Sequence, residues 1–202
     1  MNIFEKIKFF LKRPRVIIAT GSGRLSIKEA IFHVLSSYPK AGKNVLISAT
    51  DFKNPQDVEE LKFLINNSSL FILAVRDLGE IETAEELRKL AKTNTLEGWL
   101  VLNFDDETNR GMIQTANFKT LTFGFQSGAD FQATDVNVNG GTNFKVNYKG
   151  STVPVWLEGS GGKDRIYSAL LAACVATIFD LNLVEISQSL KNYHPAPVEK
   201  RE

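Results

Sequence analysis

At 202 residues the chain is long enough for one sizeable domain with a buried core, and its 43% hydrophobic and 23% charged residues are ordinary for a globular protein. A net charge of +1 argues against nucleic acid as a partner, because that requires a concentrated basic field. The single cysteine, Cys174, excludes an intramolecular disulfide and a cysteine-rich metal site; within the apolar run 169–176 it reads as a small buried hydrophobe.

Residues 1–13 place Ile3, Phe4, Ile7, Phe10 and Leu11 at helical spacing among Lys6, Lys8, Lys12 and Arg13, and Pro14 stops the helix. The apolar stripe predicts burial of Ile3, Phe4, Ile7 and Phe10 against the chain's own domain or a second subunit. The alternative is an interfacial membrane helix, basic on one side and aromatic on the other. Its charges, spread throughout, lead us to expect no secretory signal, and no run approaches the ~20 apolar residues of a spanning helix. The expected address is the cytoplasm, with possible peripheral membrane contact through residues 1–13.

A rhythm of strands and helices follows. β-rich runs at 15–21, 44–50, 70–76, 99–104 and 120–125 alternate with helical patterns at 26–37, 55–66 and 83–92, the second opening on Pro55. Such alternation implies βαβ units and an α/β fold with a mostly parallel sheet flanked by helices. After Gly128 the character changes. Residues 130–139 and 143–148 alternate, Gly140-Gly141 and Lys149-Gly150 make turns, and 153–157 follows, which predicts an antiparallel meander over 130–157. A glycine-rich loop at 159–162 leads to closing helices at 165–179 and 183–192, with Asp180 between them. Residues 194–202 read as an exposed linker. The chain thus divides into a helix at 1–14, a domain at 15–193 and a tail at 194–202.

Several phrases, in order, resemble the central domain of the Mur ligase family, the ATP-dependent amide ligases of peptidoglycan precursor synthesis. "TGSGRLSIKE" stands where that family has its phosphate loop, T-G-[ST]-x-G-K-[ST]-[ST]-x-K-E. "WLVLNFDD" is similar to its V-L-N-x-D-D strand end, and "TLTFGFQSGADFQATDV" to its F-G…ADF meander. "NPQDVEELKFLINNSSLFILAV" and "IYSALLAACVATIFDLNLVEISQSLKNYHPAPVEKRE" resemble its acidic segment and closing helices. The resemblance runs from Arg15 onward and implies a P-loop-like domain that binds ATP and magnesium. The family's flanking substrate and closing domains are not matched, so the expectation is a central domain alone.

The loop itself departs from the pattern. Thr20, Gly21, Ser22, Gly23, Arg24 and Ser26 form the candidate nucleotide site, but the loop is one residue short, Arg24 takes the lysine place and Leu25 the place of a magnesium-binding Thr or Ser. Arg24 can pair with an anion, though it is bulkier than lysine and is not a compact charge. Ser26 is expected to cap the following helix, with Glu29 completing a capping box. The family's acidic magnesium ligand falls at Ala49; Asp51 is read as a turn residue. The family's Thr-Asn-Ile-Gly…His segment becomes residues 75–82, without histidine, although Gly79 and Glu80 keep its local shape. Lys89 and Lys92 are the nearest counterparts of its carbamylated lysine, and read as solvated helix charges.

Asn103, Asp105 and Asp106 are the best-kept group. The resemblance puts them on the adenine side of the nucleotide, while their chemistry equally suits a strand ending in a turn. The family's G-R-H-N-x-x-N segment aligns with residues 162–168, where Asp164 reads as a helix N-cap. His33 and His194 lie in a helix and in the tail, so no histidine catalysis or zinc site is expected.

These substitutions predict a catalytically inactive pseudoenzyme serving as a binding or scaffold module, with no catalytic or metal-ligating residue. Its partner would be a peptidoglycan ligase, a second copy of itself or a membrane surface. Two alternatives remain: an ATP-binding subunit of an acid–amino-acid ligase completed by separate domains, with ATP and magnesium as cofactors, or an anion sensor using Asn103, Asp105 and Arg24 without turnover.

Overall fold

The computed structural model describes residues 3–51, 54–77, 98–113, 118–159 and 162–193. In chain order these hold α1 (Ile3–Lys12), β1 (Arg15–Thr20), α2 (Arg24–Ser36), α3 (Pro39–Gly42), β2 (Val45–Ala49), α4 (Pro55–Asn67), β3 (Leu70–Val75), β4 (Gly98–Asn103) and α5 (Glu107–Ile113). They continue with β5 (Lys119–Gly124), β6 (Phe131–Asn137), β7 (Thr142–Tyr148), β8 (Ser151–Leu157), α6 (Gly162–Ile178) and α7 (Leu183–Lys191). The helix expected at 83–92, with Gly79, Glu80, Lys89 and Lys92, and the tail at 194–202 lie outside the described residues.

One eight-stranded sheet runs β2-β1-β3-β4-β5-β6-β7-β8. The pairs from β2 through β6 are parallel, and β6-β7-β8 is the antiparallel meander expected over 130–157. Two residues with positive φ, Lys149 at 47° and Gly150 at 78°, turn β7 into β8, the backbone twist a tight hairpin needs. Pro154 is accommodated because β8 is an outer strand.

The parallel strands read as unbroken apolar runs because both faces are covered. Val16, Ile18, Leu73, Val75, Leu100 and Leu102 pack with Val58, Leu61, Leu64 and Ile65 of α4 and Met112 of α5. The alternate residues Ile17, Ala19, Ile72, Ala74, Val101 and Phe123 pack beneath α2, α6 and α7. α6 is apolar nearly all round since it crosses the middle of that face; its residues 168–176 are all buried, Cys174 among them. α7 starts with a capping box, in which Asn182 accepts from the N–H of Glu185 and donates its own N–H to the Glu185 carboxylate.

The N-terminal helix forms, but with its apolar stripe facing away from the domain. Ile3, Phe4, Ile7 and Phe10, expected to be covered by the chain's own domain or by a second subunit, are 71%, 79%, 53% and 61% exposed in the single chain, and only Phe9 of α1 is buried. The reason lies in the entry angle. Arg13, at a φ of 39°, ends the helix, and its N–H bonds back to the Phe9 carbonyl. Pro14 then feeds β1 while Asn44 Nδ2 donates to the Lys12 carbonyl at 3.1 Å, which turns the Phe9 side, not the Ile7 side, toward α4.

Candidate functional site

β1 stops at Thr20 and α2 begins at Arg24, so Gly21, Ser22 and Gly23 alone make the turn. Gly21 (φ 90°) and Gly23 (φ 67°) take left-handed conformations that other residues adopt at a cost, and such a turn aims backbone N–H groups into a concavity suited to an anion. A carboxylate of the protein itself reaches this turn at Ser22. The Ser22 N–H donates to Asp77 Oδ1 at 3.1 Å, and the Ser22 hydroxyl donates to Asp77 Oδ2. The approach is close: a Cβ on Gly21 would lie 2.9 Å from the Asp77 nitrogen, and one on Gly23 2.9 Å from Arg76 Nη1.

The sheet order brings these groups together. β3 lies beside β1 with Val75 opposite Thr20, so the chain leaving β3 at Arg76 and Asp77 emerges level with the loop. The chain crosses from β2 to β3 past β1, and this is the reversal point at which doubly wound sheets form their ligand crevices. Arg76 adds to these pairs. Its guanidinium pairs with Asp164 at 2.5 Å, lies 4.0 Å from Asp77 and sits 5.2 Å over the Tyr167 ring, while its carbonyl accepts from Asn109 Nδ2 at 3.1 Å. Asp164 therefore lies in the first turn of α6 as the partner of Arg76, not at the N-cap position expected of it.

The remaining loop positions are also engaged or unsuited to phosphate. Arg24 pairs with Asp51 at 3.1 Å, giving Asp51 a role beyond that of a turn residue. Leu25 is 56% exposed and brings no oxygen. Ser26 does not cap α2. The helix starts two residues earlier, with Gly23 at the N-cap and no side chain capping it, because the left-handed glycine already redirects the chain into the helix. The Ser26 carbonyl instead accepts from the Tyr193 hydroxyl at 3.1 Å.

Asn103, Asp105 and Asp106 form the turn between the end of β4 and the start of α5. Asn103, 6% exposed, accepts from the Asp105 N–H at 3.0 Å, and Asp106 Oδ1 accepts from the Asn109 N–H at 2.8 Å at the start of α5. Asp105 is a structural fastening. It accepts from the N–H groups of Phe125 (2.7 Å) and Gln126 (2.9 Å) and from the Tyr167 hydroxyl (2.9 Å). Gly124 makes room for it, since a Cβ there would fall 2.6 Å from Asp105 Oδ1. Burial, reinforced by the hydrogen bond and charge of Asp105, pushes the Tyr167 hydroxyl up to about 12.

The site is thus a ring of internal pairs: Ser22 with Asp77, Arg24 with Asp51, Arg76 with Asp164, and Asp105 with Tyr167. The residues present do not fit a magnesium–ATP complex in the manner the resemblance implies. Leu25 and Ala49 stand at the two ligand positions without an oxygen to offer, and among the described residues no group of three acidic, histidine or cysteine side chains could hold a metal. Sequence reading missed Arg76, Asp77 and Tyr167. Strand order would have pointed to the first two, because a residue just past the strand neighbouring the loop strand faces the loop.

This architecture is the Mur-ligase central-domain fold. The MurF ligase from Thermotoga maritima, solved in complex with ADP, superposes with a TM-score of 0.76 at 18% identity, over 95% of this chain and 51% of that one. A pseudomurein peptide ligase type C from Methanothermus fervidus gives 0.70 at 16% identity, over 98% and 53%. In sequence, the chain is 26% identical over 167 residues to the UDP-N-acetylmuramate–L-alanine ligase of Hydrogenobaculum sp. (strain Y04AAS1), covering 77% of this chain and 36% of that one. The Clostridium beijerinckii enzyme of the same name is 28% identical over 131 residues, 64% of this chain and 28% of its own. No family model matches the chain. Fold and sequence together relate it to the Mur ligases, and it spans about a third of the length of the curated relatives it matches.

Proposed function

We propose that this chain is a Mur-ligase-like central domain that does not turn over ATP and acts as a binding or scaffold module in peptidoglycan synthesis. One observation carries the reading: the Asp77 carboxylate lies against the loop, hydrogen-bonded to the Ser22 N–H and hydroxyl, where it would meet an incoming nucleotide phosphate. Seating a phosphate there requires expelling a like-charged group, and Arg24, the one cation in the loop, would have to leave Asp51. Phosphoryl transfer depends on positioning and on neutralising charge with a metal and a cation, and neither metal-ligand position supplies an oxygen.

Calorimetry with ATP and magnesium tests this directly. The expected result is no binding tighter than about 1 mM, roughly −4 kcal/mol. Micromolar, magnesium-dependent binding would overturn the reading. Inserting one residue after Ser22 together with Arg24→Lys, Leu25→Thr and Asp77→Ala is expected to raise affinity.

A second reading is an ATP-binding subunit of an acid–amino-acid ligase completed by other domains. What favours it is that Gly21 and Gly23 keep the left-handed geometry of an anion-binding turn. In that reading Asp77 is displaced by nucleotide, and the unmodified chain binds ATP once mixed with the completing domains.

A further inference from the structure

We propose that α1 docks this protein on the surface of anionic lipid bilayers, lying flat at the interface; this inference is independent of how the phosphate loop is read. With 100° between successive residues, Ile3, Phe4, Ile7, Phe10 and Leu11 fall within an arc of about 120°, with Ile7 near its centre. All five are more than half exposed, and among the described residues nothing covers them. The stripe cannot simply roll inward. Phe9 on the opposite side packs 5.6 Å from the Phe63 ring, Lys6 sits 5.3 Å over that same ring, and the Lys12 carbonyl is held by Asn44. The helix is fastened to α4 by its back and offers its front.

Charge selects the occupant. Lys6 and Lys8 flank the stripe on either side, and Lys12 and Arg13 follow at the end of the helix, against one acid in the helix, Glu5. The acids of the neighbouring element, Glu59 and Glu60, lie in the grooves behind α1 with Phe63 and Leu64, grooves whose outer edge Lys6, Lys8 and Lys12 also line. A second copy docking through the same stripe would set one row of cations against another, whereas anionic headgroups give each of them a counter-charge while the acyl boundary takes the phenylalanines and isoleucines. The helix has ten residues, about 15 Å, which suits lying in the interface and is too short to cross it.

Co-sedimentation of the full chain with vesicles tests the proposal. The chain is expected to pellet with phosphatidylcholine vesicles containing phosphatidylglycerol and to remain largely in the supernatant with phosphatidylcholine alone. Ile7→Glu with Phe10→Glu is expected to abolish pelleting while leaving the circular dichroism spectrum and melting temperature unchanged, since both positions are exposed. Lys8→Gln with Lys12→Gln leaves the stripe intact and is expected to weaken binding about 30-fold, at roughly fivefold per cation near the surface. Three results would overturn it: no pelleting of the unmodified chain with anionic vesicles, equal pelleting of the Ile7/Phe10 variant, or a dimer in light scattering that this variant dissociates without any vesicle binding.

Discussion

The carboxyl end of the parallel sheet and the N-terminal helix treat their exposed groups in opposite ways. At the sheet end, where a relative of nucleotide-using enzymes would leave donors and charges open for a ligand, four groups are matched within the chain: Ser22 by Asp77, Arg24 by Asp51, Arg76 by Asp164, Tyr167 by Asp105. On α1, five large apolar side chains are left to the surroundings while only Phe9 turns inward. Groups already paired within the chain must give up those partners before they bind a ligand, whereas an exposed apolar stripe gains by being covered. The two proposals together put the functional surface on α1 and not at the end of the sheet.

The strongest way to break that contrast is at Asp105. Asp105→Ala removes a charged acceptor from three donors at once and is expected to cost about 2–4 kcal/mol, read from urea unfolding, with Asp105→Asn recovering part of it. An unchanged midpoint would mean the sheet end is not internally fastened. Next is the pair Phe9→Ala and Ile7→Ala. Phe9 fills a site against Phe63 and is expected to cost about 2–3 kcal/mol, whereas the exposed Ile7 changes stability by less than about 0.5 kcal/mol. Equal costs would show that α1 buries its stripe after all.

Alkaline pH sharpens the comparison without mutation. Tyr167 and Tyr193 are both raised from the ordinary 10.0 to about 12, chiefly by burial. The folded state therefore holds these protons more tightly than the unfolded chain. Their stabilisation is complete below about pH 10, falls as the unfolded tyrosines ionise, and is lost by about pH 12. Urea midpoints are expected to drop across that window, and Tyr167→Phe to lessen the drop. The smallest effect belongs to the loop pairs. Arg24→Ala should change stability by less than about 1 kcal/mol, because its partner Asp51 is partly exposed.

Much of this molecule was legible from its sequence. Alternating apolar runs and helical periods gave the parallel sheet, and the paired turns at Gly140-Gly141 and Lys149-Gly150 gave the meander, because burial on two faces or one imprints directly on residue order. What lies against the loop was not legible, since Asp77 lies 55 residues from Ser22 and the contact exists only through the placement of β3 beside β1. Ser26 misled because its spacing to Glu29 fits a capping box, yet the glycine turn starts α2 at Arg24. The stripe on α1 was visible in the periodicity, which defines an apolar face without saying whether the chain's own domain, a second subunit or a membrane covers it.

The most direct test of the self-paired loop is an amide nuclear magnetic resonance titration with ATP and magnesium, following Ser22 and Gly23. With Asp77 holding the Ser22 N–H, both signals are expected to stay in place up to millimolar nucleotide, while Asp77→Asn alone shifts Ser22. Saturable movement of Ser22 and Gly23 in the unmodified protein at micromolar ATP would contradict the account.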